Sequence, residues 1–144
     1  MKKKMNNKGF SLVELIIVIA IMAVLMVVLA PQLLKYVEKT RLQKDNSAIS
    51  EIANAIKVAC ADETIILDVS NAGGRSYSTA ATAGAKTLSF NSSSTDKLEV
   101  ELADVIGASV TTSSTTYSKS TTAITISVSV DGEVTVTGFI SEPN

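Results

Sequence analysis

The pattern of apolar and polar positions changes character twice along the chain. From Phe10 to Ala30 it reads FSLVELIIVIAIMAVLMVVLA, in which Ser11 and Glu14 are the polar side chains. Coiled as a helix, such a run is about 30 Å long, the thickness of a bilayer's hydrocarbon core. Beyond Pro31 the apolar positions become periodic: Leu42, Ile49, Ile52, Ala53, Ile56, Ala59 and Cys60 recur at helical spacing, while Lys44, Asp45, Glu51 and Lys57 fall elsewhere. The pattern predicts one helix from Phe10 to about Ala61, roughly 75–80 Å long. Its first part is apolar all round, and its second part has one face to lay on a sheet. Pro31 has no amide proton, and its ring crowds the Val27 carbonyl, so a kink is expected there. The competing expectation, that the helix ends at Pro31, is disfavoured because helical periodicity resumes at once.

Residues 62–144 are expected to form a β-rich head. Thr64 to Val69 reads as the end of the helix or as a first strand, residues 70–85 as a loop, and Lys86 to Phe90 as a short strand. Asp96-Lys97-Leu98-Glu99 has the spacing of a capping box. Leu98, Leu102, Val105 and Ile106 follow at helical spacing before Gly107, predicting a helix over 97–106. Residues 109–122, SVTTSSTTYSKSTT, read as an exposed loop or edge strand. Ile124, Ile126, Val128 and Val130 alternate with polar residues, as do Val134 and Val136, with Asp131-Gly132 between. A two-residue loop would put the two apolar sets on opposite faces. A three-residue loop, Val130-Asp131-Gly132 with Gly132 left-handed, pairs Val128 with Val134 and Ile126 with Val136 on one face, and this register is predicted. The fold class is therefore α+β: a long N-terminal helix, kinked near Pro31, whose C-terminal half packs on a small antiparallel sheet. An 80-residue head is small for a core of its own, and the amphipathic half of the helix would complete it.

Charge and composition narrow the chemistry. The chain has 144 residues and a net charge of −1, which allows one domain with an anchor and shows no nucleic-acid footprint. Residues 1–9 hold Lys2, Lys3, Lys4 and Lys8 and no acid, so the remainder is acidic. This basic tip should stay cytoplasmic and place the C-terminal part outside, although Lys35, Lys39 and Arg41 beyond the run argue the other way. His and Trp are absent and Cys60 is the only cysteine. That excludes an intramolecular disulfide and a cysteine-based zinc site, and it removes the commonest general base. Cys60 is expected to be a small buried hydrophobe. Gly84-Ala85-Lys86-Thr87 lacks the spacing of a phosphate loop, and no nucleophile–base pair stands out. Asn91-Ser92-Ser93 matches the N-glycosylation pattern, a common chance occurrence. No catalytic residue, metal ligand or cofactor is expected, and the chain does not read as an enzyme.

Glu14 is the feature with a consequence. An ionised carboxylate facing lipid costs several kcal/mol, so an acid inside a membrane-length run is expected to have a task. Gly9-Phe10-Ser11-Leu12-Val13-Glu14, placed after a short basic leader and opening the apolar run, resembles the type III signal of the type IV pilin family. The resemblance covers residues 1–60 in detail. It implies that a prepilin peptidase cuts between Gly9 and Phe10, removing the leader 1–9, and methylates the new amine of Phe10. It implies that Glu14, then the fifth residue, takes the amine of a neighbouring subunit, and that Pro31 stands where pilins have a kink-permitting proline. The domain reading is a leader over 1–9, a long helix over 10–61 (core segment 10–30, amphipathic segment 31–61) and a head over 62–144.

The same resemblance implies a filament subunit, anchored in the cytoplasmic membrane before assembly and displayed at the cell surface afterwards. Its partners would be copies of itself, the prepilin peptidase, and an assembly platform with a cytoplasmic ATPase. The chain lacks the paired cysteines that close a C-terminal loop in many family members. Three rivals remain at this level. A pseudopilin of a secretion or DNA-uptake system shares the N-terminal signature. A membrane-anchored binding or adhesive module would never polymerise. An exported enzyme would be cut after Ala30, leaving Pro31 first.

Overall fold

The computed structural model describes residues 9–140. The expected leader lysines, Lys2 to Lys4 and Lys8, and the last four residues of the head lie outside the described residues. The chain divides into two compact units, Met1–Val37 and Glu38–Asn144. Helix α1, Leu12–Ala59, runs through both and carries Pro31 in its interior. Pro31 thus does not end the helix, since a single missing donor is tolerated where the flanking turns are strong helix formers.

In the second unit α1 buries Leu42, Ile49, Ile52, Ala53, Ile56 and Ala59. All of these but Ala53 pack with residues from every part of the head in one hydrophobic core. Asp45 belongs to the same buried stripe, contrary to the expectation that it lies off the apolar face. The steps Leu42–Asp45–Ile49 are three and four residues, which is the spacing of a single helix face. After a turn at Cys60–Asp62 the chain forms α2, Glu63–Asn71. The Thr64 to Val69 segment is therefore a helix of its own, neither a strand nor the tail of α1. The Asp62 carboxylate accepts the Thr64 amide at 2.7 Å and caps it. Ile65 and Val69, one turn apart, face the core.

Residues 70–85 are not all loop: β1, Arg75–Ser78, lies within them. Its polar sequence carries no β signal of its own. It is a strand because β4, Thr125–Val128, offers a hydrogen-bonding edge, pairing Arg75 with Val128 and Tyr77 with Ile126. On the other side of β4 lies β5, Val134–Thr137, giving a three-stranded antiparallel sheet in the order β1-β4-β5. The hairpin register is the predicted one, with Val128 opposite Val134 and Ile126 opposite Val136. Gly132 turns the loop at φ +79°, and its amide reaches the Ser129 carbonyl at 3.0 Å. Val130, which the alternation counted as a strand position, is exposed on that loop.

A second, two-stranded sheet pairs β2, Thr87–Ser89, with β3, Ser109–Thr111. Between them α3, Lys97–Val105, starts at the predicted cap, with Asp96 accepting the Leu98 amide at 3.0 Å. The capping box is not closed reciprocally, because Glu99 reaches instead to the Asn91 amide at 3.0 Å. Gly107, at φ +102°, follows the helix end as expected. The hydroxyl-rich stretch 109–122 also departs from the loop reading. It contributes β3 and a short helix α4, Thr115–Lys119, whose Tyr117 is fully buried. Cys60 is half-buried beside the core, not within it. Its thiol is pushed above the usual cysteine range by desolvation, which lowers its thiolate share.

Candidate functional site: the apolar stem, its first turn and the head clamp

From Gly9 to Val37 no residue is buried. Phe10 is 94% exposed, and the large apolar side chains from Leu12 to Leu29 are exposed all round the helix. Withdrawing each from water is worth about 1.5–3 kcal/mol. Summed over the stem this exceeds the whole stability of a typical domain, about 5–15 kcal/mol. Such a surface needs a bilayer or other apolar helices around it. Among the described residues, α1 is the helix long and apolar enough to cross a membrane.

The expected site residues fall at separate points of this stem. Gly9 has open space around it, and Phe10 precedes the first helical residue, Leu12. Glu14 lies in the first turn, and its Oε2 accepts the Ser11 amide at 2.9 Å. Ser11 and Glu14 thus have the spacing of a capping box, with its reach-back bond made. The reach-back satisfies one of the orphan donors of the helix start and holds the carboxylate close to Phe10. Pro31 is far along the helix and exposed, and belongs to no cluster with the other three.

Sequence reasoning missed the acids that fasten the head to α1. Asp45, 5% exposed, accepts the Ser113 amide at 2.9 Å, the Ser113 hydroxyl at 3.0 Å and the Ser114 amide at 2.7 Å. Two turns earlier, Glu38 accepts the Ser114 hydroxyl at 2.7 Å and the Thr116 amide and hydroxyl at 2.9 Å. Desolvation tends to raise the Glu38 pKa, but the donors from Ser114 and Thr116 outweigh it and hold the value at about 2. Asn46, next to Asp45, accepts from the Tyr117 hydroxyl and donates to the Ile140 carbonyl at 2.9 Å. The Leu42–Asp45–Ile49 spacing was the available clue; nothing local named Ser113 or Ser114 as the partners. Lys86 is likewise buried, and its Nζ donates to the carbonyls of Ala80 at 3.0 Å and Thr82 at 2.6 Å. It ties down its own preceding loop.

Elsewhere the polar chemistry is sparse. Arg75 bridges Asp96 and Asp68, and the Tyr77 hydroxyl is buried without a hydrogen-bond partner among the described residues. Its pKa is driven up by desolvation, then by the carboxylates of Asp96 and Glu99. No group of three metal-capable side chains occurs among the described residues.

Residues 4–30 match the family model of the prokaryotic N-terminal methylation motif. No curated protein and no solved structure matches the chain. The motif coincides with the exposed apolar helix and ends one residue before Pro31. The chain thus carries the type IV prepilin signal, and with a long helix laid on a small antiparallel sheet it is pilin-like in architecture.

Proposed function

We propose that the mature chain is the structural subunit of a type IV pilus and polymerises through its stem into a filament at the cell surface. The observation that carries this reading is the methylation motif set directly against a bare apolar helix whose first turn holds one acid. Cleavage after Gly9 by a prepilin peptidase turns the Phe10 amide into an amine, and methylation keeps that amine basic. Glu14 already leans toward that end, accepting the Ser11 amide. In a stack of stems the carboxylate exchanges this contact for the amine of a neighbour. An unpaired charge in an apolar bundle is strongly penalised, so this pairing sets the axial register. Pro31 leaves the Val27 carbonyl without its helical donor, which gives the stem a place to bend as it moves from membrane to filament. Before assembly the stem anchors the subunit in the cytoplasmic membrane, where a platform and its ATPase draw it out. The role is structural, with no catalytic step.

N-terminal mass spectrometry of surface material tests this most directly. The expected first residue is a methylated Phe10. A mature chain beginning at Met1 would make it an uncut anchored module, and one beginning at Pro31 an exported soluble protein. Sheared cells should yield long fibres of this subunit. Processed chain without long fibres would move the assignment to a pseudopilin.

A further inference from the structure

A groove of about 350 Å³ lies on the head between the end of α1, the start of α2 and α3. Ala55, Val58 and Val105 line it, and Val58 and Val105 are 75% and 65% exposed. Its ionisable lining residues are Asp62 and Glu101, both exposed; Lys97, one turn before Glu101 in α3, lines the adjoining surface with both of them. The Thr64 hydroxyl and amide, with a smaller pull from Lys97, hold the Asp62 carboxyl below its ordinary range, so two carboxylates outnumber one ammonium at this rim. The groove is apolar at its floor and acidic at its edge.

A complementary surface lies on the same side of the same helix. Between residues 38 and 45 α1 carries Glu38, Lys39, Arg41, Lys44 and Asp45, which in sequence is a mixed set. Both acids are turned to the Ser113–Thr116 segment. Lys39, Arg41 and Lys44 remain exposed, so the surface is cationic alone. Arg41 and Lys44 are one turn apart, and each stands just under four turns before Ala55 and Val58 respectively, hence on nearly the same side of α1.

We infer that the groove of one copy receives Arg41 and Lys44 of a second copy, joining heads in a head-to-tail contact. The proposal rests on the filament reading above and assigns it a second interface, remote from Glu14. A two-fold pairing of either patch with itself would set like charges together. A head-to-tail pairing brings unlike charges together and leaves one patch open at each end, which is how an open filament grows. The basic side chains cover Val58 and Val105 with their methylene stems while their charged heads meet Asp62 and Glu101.

The test uses the full-length chain in cells that assemble it, with Arg41→Glu, Glu101→Arg and the double exchange. Fibres are sheared and quantified against membrane-held subunit, and the mature N-terminus is measured in each strain. Either single reversal should lower fibre yield by about tenfold or more, as expected for a close interfacial charge pair. Processing and membrane level should be unchanged, and the double exchange should recover most of the yield. Wild-type yield in the single variants overturns the interface. So does a loss that the double exchange does not relieve, which would point to another occupant of the groove. A wild-type strain that makes no fibre at all sinks the filament reading instead.

Discussion

Single residues in this protein act through the charge that their neighbours allow them. Asp45 sits in the core because two serines meet every side of its carboxylate that the core does not. Glu38 is half-exposed and is held ionised by three donors from Ser114 and Thr116, in the same 113–116 strap that holds Asp45. Its folded pKa of about 2 lies below the ordinary 4.5, so its contribution to stability is full above the ordinary value. That contribution is lost as the pH falls from about 4.5 toward about 2. Thermal melts in detergent across this window should show wild-type stability falling more steeply than that of Glu38→Gln, which cannot titrate. Parallel curves would mean that the strap does not depend on the Glu38 charge. The strap lies outside any periodic signal, because serine and threonine hydroxyls read locally as surface.

At the level of elements, the hairpin shows how turn geometry and face burial agree on one register. The three-residue loop is needed to bring Val134 and Val136 onto the face of Ile126 and Val128, and Gly132 supplies the left-handed residue. Just past β5, Gly138 is under a tighter constraint. It has φ +87°, and a Cβ there would stand 2.2 Å from the Ala123 carbonyl oxygen. Gly138→Ala therefore meets both backbone strain and a clash with main chain that cannot rotate away. The expected cost is about 2 kcal/mol or more, read from the denaturant midpoint of the full chain. A shift of less than about 0.5 kcal/mol would mean that the chain after β5 moves freely to make room.

For the whole molecule the decisive separation is between insertion and assembly. Insertion depends on the apolar area of the stem, which one substitution hardly changes. Assembly, on the function proposed above, depends on the single acid in its first turn. Glu14→Ala should thus fractionate with membranes at wild-type level but yield at least about tenfold less sheared fibre, the cost of one unmatched amine in an apolar bundle. Equal fibre yield would remove Glu14 from the assembly mechanism and leave packing alone to set the register. The prepilin signal and the bare helix support the proposed function from two directions: on that reading one marks where an amine is made, and the other leaves a surface that water cannot keep.

The sequence by itself determined the features whose cause is local. A run of apolar side chains needs no partner to be read as membrane-length, and a periodic stripe such as Leu42–Ile49–Ile52–Ile56 announces its buried face. The α3 cap and the hairpin register followed from a few adjacent residues. Tertiary structure decided what depends on partners distant in the chain. Arg75–Ser78 became a strand because β4 offered an edge, and α4 formed where its residues meet Glu38 and bury Tyr117. Asp45 entered the core because Ser113 and Ser114 stood ready 68 and 69 positions away. A hydrophobic pattern reports what a residue avoids, which is water. It carries no record of which distant donor will satisfy a buried charge, and only the folded chain brings the two within reach.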